Sequence, residues 1–269
     1  MNAFKDKVVV ITGAGSGMGR DLALQFASAG ARLALNDWNA EALAQTLQAV
    51  EAAGGQGIMS AFDVSDREAV FAFAAAVMQQ YGQVDVVINN AGIAMQLNSI
   101  ANTPMQDYER VIGVNLWGVI YGTLAFLPHL KARPEAALVN ISSIFGIVGY
   151  GGQGAYSTSK FAVRGFTETL RQELRTTNVA VTCVHPGGIK TGIVRNIPGE
   201  TSASKEKFIA IFDRTAKTSA EDAARQIIQG IQRKKKRVLI GRDALWLDFF
   251  ARLFPQRYER IVLRKNRVH

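Results

Sequence analysis

Cysteine is nearly absent from this chain: Cys183 is the only one among 269 residues. A single thiol excludes an intramolecular disulfide framework and any cysteine-rich zinc site, and its place in the apolar run 179–184 reads as a small core side chain. Histidine is scarce too. His129 stands near a helix end, His185 precedes Pro186 and His269 is terminal. With no ligand spacing among them, no metal site is expected. Solenoid-type repeats and low-complexity tracts are lacking. Uncharged apolar stretches are taken to stop short of the roughly 18 residues a bilayer requires, and residues 1–7 lead straight into a strand pattern. Neither a spanning helix nor a signal peptide is therefore expected, and the cytosol is the default compartment.

Net charge is missing from most of the chain. Residues 1–232 hold 19 Lys/Arg and 19 Asp/Glu, whereas residues 233–269 hold 12 and 3, so the whole formal charge of +9 lies in the tail. A body that bound nucleic acid would carry its own basic face, and no nucleic-acid partner is expected.

What remains is ordinary globular material, 48% hydrophobic and 20% charged, long enough for one large domain with a substantial core. Short runs rich in Val, Ile and Leu (residues 7–12, 32–36, 56–62, 84–89, 136–142 and 179–184) read as fully buried strands. Helical spacing fills the gaps at 22–29, 40–53, 68–81, 106–130 and 156–176. Strand–helix alternation of this length predicts βαβ units, a parallel sheet and helices on both faces. Composition breaks near 231–236, which divides a body of residues 1–241 from a basic extension, 242–269, on or beside it.

The first chemical signal is Thr12-Gly13-Ala14-Gly15-Ser16-Gly17-Met18-Gly19, after a strand and at the opening of a helix. Glycines there keep the turn tight and let backbone approach a pyrophosphate, which the helix N-terminus favours. Asp37 closes the next strand, where a carboxylate can accept hydrogen bonds from adenosine ribose hydroxyls; it could also cap the helix at 39–53. The fold expected is a single Rossmann-type, doubly wound α/β sheet of about seven parallel strands with a C-terminal helical extension. The second signal is Tyr156-x-x-x-Lys160. Residues four apart on a helix share a face, and a nearby cation lowers a phenol's pKa toward working pH, which makes it a usable acid/base.

Taken in order, these motifs with Asp63-Val64, Asn89-Asn90-Ala91-Gly92, Asn115, Ser142-Ser143 and Pro186-Gly187-x-x-x-Thr191 resemble the short-chain dehydrogenase/reductase family, over residues 7–192. The resemblance implies oxidation of an alcohol, or the reverse reduction of a carbonyl, with a nicotinamide cofactor. Tyr156 would be the acid/base, and Lys160 would lower its pKa and bind the nicotinamide ribose. Ser143, thirteen residues before Tyr156, would polarise the substrate oxygen, and Asn115 would hold a water linking Lys160 to solvent. Gly13, Ser16, Gly17, Met18 and Gly19 would cradle the phosphates. Asp63 and Val64 would flank the adenine; Asn90, Ala91 and Gly92 would line the cofactor; Pro186, Gly187, Ile189 and Thr191 would fix the nicotinamide. Asp37 would repel a 2′-phosphate, with no Lys or Arg at Ser16 or Trp38 to compensate, so NAD is expected over NADP. A homo-oligomer, dimer or tetramer, using helix faces 106–130 and 156–176 is also implied. A non-catalytic dinucleotide sensor is the alternative.

The pocket segments 94–97, 145–153 and 193–212 supply Met95, Leu97, Phe145, Ile147, Val148, Tyr150, Ile193, Ile197, Phe208 and Phe212 and few charges. An apolar ketone or secondary alcohol is the expected substrate, under a mobile lid at 193–212. In the tail, a strand at 238–240 and a helix at 243–254 are predicted, with the helix resuming at 258–265. The helix carries Leu245, Trp246, Leu247, Phe249, Phe250, Leu253 and Phe254 among Arg and Lys. Either that face packs on the core or a neighbouring subunit, or it rests peripherally on an anionic membrane.

Overall fold

The computed structural model describes residues 3–194, 197 and 203–259. Its strands are β1 (Val8–Thr12), β2 (Arg32–Asp37), β3 (Gln56–Ala61), β4 (Val86–Asn89), β5 (Ala136–Ile141), β6 (Val179–Pro186), β7 (Ile189–Lys190), β8 (Thr218–Ser219) and β9 (Arg237–Ile240). The helices between them are α1 (Gly17–Ser28), α2 (Ala40–Ala52), α3 (Arg67–Tyr81), α4 (Met105–Ile112), α5 (Gly118–Lys131), α6 (Gly154–Glu173), α7 (Ala203–Thr215), α8 (Ala220–Gln232) and α9 (Arg242–Leu253). Seven strands form one parallel sheet in the order β3-β2-β1-β4-β5-β6-β9, and β7 and β8 make a separate parallel pair. This is the doubly wound α/β architecture expected.

Alternation along the strands builds two cores. Val9 and Ile11 face Leu22 and Phe26 of α1, Leu43 and Val50 of α2, and Ile227 of α8. Val8 and Val10 face Phe73 and Val77 of α3, Phe126 and Leu130 of α5, and Leu170 of α6. A strand covered on both faces is apolar throughout, which is why β1, β4 and β5 are buried along their whole length. β3 departs from the expectation of full burial: it pairs only with β2 at the sheet edge, and most of its side chains are at least partly exposed.

One other expectation changes and two gain detail. The run 106–130 forms one continuous helix whose middle, Gly113–Trp117, is wound as a π-turn. The expected absence of a membrane-length helix is also wrong. Residues 111–130 contain no Asp, Glu, Lys or Arg, and Met105–Lys131 is long and apolar enough to cross a bilayer by length and composition. It packs instead into the domain, where Val111, Val119, Phe126 and Leu130 are buried; a core helix has the same composition. The segment read as a lid contains a regular helix, α7, which neither supports nor opposes that reading. Residues 195, 196 and 198–202 of this segment, and 260–265 of the tail's second helical stretch, lie outside the described residues.

Candidate active site

Strand order reverses between β1 and β4, and ligands of such sheets bind beyond the strand ends at that switch point. There the glycine loop turns tightly: Gly13 and Gly17 have φ of +67° and +51°, and a side chain on Gly19 would run into the Gly13 carbonyl oxygen. Ser16 stands at the N-cap of α1 without a capping side-chain bond, and the first turn has no acidic residue. The helix start is thus electrostatically open to an anion. Asp37 is buried, with one oxygen accepting from Gly15 N and the other from Asn39 N, both at 2.9 Å. Capping of α2 falls to Asn39, whose side chain accepts from Ala42 N. Asp37 therefore secures the loop and the turn beside it, with lone pairs left on its oxygens.

Thr12, which the glycine pattern alone did not single out, ties this loop to β4. Its hydroxyl accepts from the N–H groups of Asn90 and Ala91, each at 3.0 Å, while Asn90 Nδ2 donates back to Thr12 O at 2.9 Å. A hydroxyl ending the strand just before the glycines was the available signal. Asn89 Nδ2 donates to Asn140 Oδ1 at 2.8 Å, and Asn140 Nδ2 to Thr167 Oγ1 at 3.0 Å, a buried chain joining β4, β5 and α6. Asp63 spends one oxygen on the backbone and hydroxyl of Ser65, and Val64 packs so closely on α5 that a Cβ on Gly118 would lie 2.6 Å from it.

Tyr156, Ser143, Lys160 and Asn115 come together at the other end of the same cleft. Ser142 Oγ donates to Lys160 O at 2.8 Å and faces inward. Ser143 Oγ accepts from Phe145 N at 3.1 Å, which leaves its proton for another partner, and the Tyr156 phenol is its neighbour. Lys160 is buried; its ammonium donates to Ile141 O at 3.0 Å and stands 5.7 Å from the centre of the Tyr156 ring. Asn115, on the π-turn, accepts from Ile93 N at 2.8 Å and donates to Ile93 O at 3.0 Å and to Ser159 Oγ at 3.2 Å. A Cβ on Gly92 would sit 3.2 Å from Asn115 Oδ1 and 3.3 Å from Lys160 Nζ. Glycine thus keeps the approach to Lys160 open.

The electrostatics differ from the expectation that Lys160 sets a low phenol pKa. Desolvation pushes Tyr156 above its usual value, and the hydrogen bond with Ser143 offsets this only in part. Burial brings Lys160 down to about 8. For both groups the largest cause is removal of the charged form from water.

Pro186 ends β6 and Gly187 follows it, and Thr191 reaches the glycine loop, its Cγ2 3.1 Å from where a Gly17 side chain would begin. An unforeseen residue braces this segment. Asp243, in the first turn of α9, accepts from Gly188 N at 2.7 Å, and side chains on Gly187 or Gly241 would collide with it. Of the expected pocket residues, Met95 packs beside Tyr156, Phe145 stacks on Tyr150 at 4.8 Å and meets Tyr156 edge-on at 6.3 Å. Phe208 and Phe212 gather on Ala94, Val194 and Ile197. Ile147 and Val148 do not join them; they pack under α9 with Ala244.

The cradle fits a dinucleotide: a tight loop of glycines, an uncapped helix start, a carboxylate at the end of β2, and Gly92 before a buried lysine. Comparison with known proteins agrees. Residues 7–202 match the family model of the short chain dehydrogenases. Over 265 residues the chain is 46% identical to a Mycobacterium tuberculosis protein named as the oxidoreductase SadH, covering 97% of this chain and 96% of that one. It is 36% identical over 242 residues to dehydrogenase/reductase SDR family member 7B of Mus musculus, covering 88% and 73% of the two chains. A Burkholderia phymatum short chain dehydrogenase/reductase, solved in complex with NAD, superposes with a TM-score of 0.86 at 31% identity, over 100% of this chain and 99% of that one. Fold, switch-point cradle and sequence relatives agree, and the chain belongs to the short-chain dehydrogenase/reductase family of oxidoreductases.

Proposed function

We propose that this protein interconverts an apolar secondary alcohol and its ketone with NAD(H), using Tyr156 as the acid/base. The observation that carries the reading is the junction of Tyr156, Ser143 and Lys160 at the mouth of the dinucleotide cradle. Gly13, Ser16, Gly17, Met18 and Gly19 would hold the pyrophosphate, Asp37 the adenosine ribose, Lys160 the nicotinamide ribose, and Ile189 and Thr191 the carboxamide. Bound nicotinamide supplies or takes up the hydride.

The chain's own groups handle the oxygen and its proton. Tyr156 gives its proton to the ketone oxygen in reduction and takes it back in oxidation. Ser143 donates a hydrogen bond to the same oxygen, since its hydroxyl accepts from Phe145 N and keeps its own proton to give. Lys160 remains largely cationic at neutral pH, so it stabilises the phenolate that proton donation leaves behind. Asn115 holds Ile93 and the start of the substrate loop in place. The walls of Met95, Phe145, Tyr150, Phe208 and Phe212 favour a substrate without charge.

Preference for NAD rests on Asp37, whose carboxylate would face a 2′-phosphate, and the NAD complex of the Burkholderia relative supports the dinucleotide itself. We assign the exposed apolar side chains of the α4–α5 helix and α6, among them Trp117, Leu124 and Phe161, to contacts between copies in a homo-oligomer. The test of the reading is oxidation of NADH and NADPH followed in parallel over a panel of apolar and charged ketones. Turnover is expected with apolar ketones and NADH. A higher kcat/KM with NADPH would overturn the cofactor assignment, and no turnover with any ketone would favour the sensor.

A further inference from the structure

The C-terminal helix has two unlike faces. Ala244, Leu247, Asp248 and Ala251 turn toward the domain, with Ala244 fully buried against Ile144 and Val148. On the other side Leu245, Trp246, Phe249 and Leu253 are each more than half exposed. At 3.6 residues per turn these four share an arc about 100° wide with Arg242, which is exposed as well. A stripe this apolar on an outer face requires an occupant.

Charge around the stripe says which. The exposed turn Arg233, Lys234, Lys235 and Lys236 precedes β9, and Lys235 and Leu245 wall the same open groove. Of the three acidic residues in 233–259, Glu259 is exposed and the other two are committed. Asp243 accepts from Gly188 N, and Asp248 is bound by Arg237 and Arg252. Lys234 pairs with Glu135, but the margin stays cationic: residues 233–259 carry eight Arg/Lys against three Asp/Glu. A second copy seated on this face by a twofold axis would bring the cationic margin against itself. An anionic surface with an apolar interior meets both features at once.

We propose that the outer face of α9 docks the enzyme on anionic lipid, with Leu245, Trp246, Phe249 and Leu253 entering the headgroup boundary and the Arg233–Lys236 turn and Arg242 meeting lipid phosphates. The helix backs on the turn Ile144–Gly146, next to Ser143, so the lipid surface lies against the substrate side of the domain.

The test is cosedimentation of the full-length protein with sucrose-loaded vesicles of phosphatidylcholine alone or with a phosphatidylglycerol fraction, at low and physiological salt. Binding to the anionic vesicles is expected to exceed binding to neutral ones at least about tenfold and to weaken with salt. Phe249→Gln with Leu253→Gln, which leaves charge unchanged, should cut it about tenfold. Lys235→Gln with Lys236→Gln should cut it several-fold. All four side chains are exposed, and an unchanged melting temperature will show that the variants fold. Pelleting that is absent with wild type, or equal for wild type and the Phe249/Leu253 variant, overturns the proposal. So does a wild-type oligomer that dissociates in that variant without any lipid binding, which would give the face to a second copy.

Discussion

Asp37 has two tasks that pull in one direction. Its oxygens hold Gly15 N and Asn39 N, and the proposed function has it accept from a ribose as well. Asp37→Ala should therefore weaken NADH binding by roughly ten- to a hundredfold, since a hydrogen bond to a charged group is worth about 1.5–3 kcal/mol. NADPH binding should weaken less, because the repelling charge is removed; fluorescence titration of both cofactors checks this. His185 offers a test by pH. It is fully buried, its Nδ1 is 3.1 Å from Ser143 O, and desolvation pushes its pKa down to about 4. A depressed histidine binds fewer protons folded than unfolded between pH about 4 and 6.5, so its contribution to stability falls as pH drops through that window. The full shift corresponds to about 3 kcal/mol. Thermal melts at pH 7 and pH 5 should thus show a smaller acid-induced drop for His185→Gln than for wild type; an equal drop would mean that another group governs the slope.

At the scale of elements, strands were the most legible part, because burial on both faces writes itself as unbroken Val, Ile and Leu. β3 misled because edge burial depends on sheet order, although Gln56 and Ser60 already hinted at a wet strand. The motif residues were legible by position, but their electrostatics were not. The Tyr156 pKa reflects how much water the fold removes, which no spacing reveals. Nor could the π-turn at Gly113–Trp117 or the Asp243 brace be read, since both depend on segments far apart in the chain. α5 carries a test of packing. A side chain on Gly122 would collide with Asn89 Oδ1, and Asn89 is anchored to Asn140 and Thr123 and has little room to move. Gly122→Ala should cost about 1–3 kcal/mol, the usual range for overpacking, despite the better helix propensity of alanine. Denaturant unfolding measures it, and a stabilised variant would show that the Asn89 network is not rigid.

For the whole molecule, charge and shape divide the labour. A balanced body builds the cradle, and a basic, apolar extension is fastened to it through β9 in the sheet, Asp243 on the loop after β6, and Ala244 on the turn after Ser143. The proposed assembly face lies elsewhere, on the α4–α5 helix and α6. Leu124→Glu, at a half-exposed position there, should lower the oligomeric state in sedimentation velocity with little change in melting temperature at low concentration. An unchanged sedimentation coefficient would move the interface. The central claim is that Tyr156 handles the substrate proton, and the most direct measurement is the kcat of Tyr156→Phe for ketone reduction beside its affinity for NADH. The ring and its packing on Phe145 remain while the hydroxyl is lost. The account predicts that kcat falls by roughly 10²–10⁴ with NADH affinity within about twofold of wild type, as the proposed role of Tyr156 requires. Turnover close to wild type would contradict it.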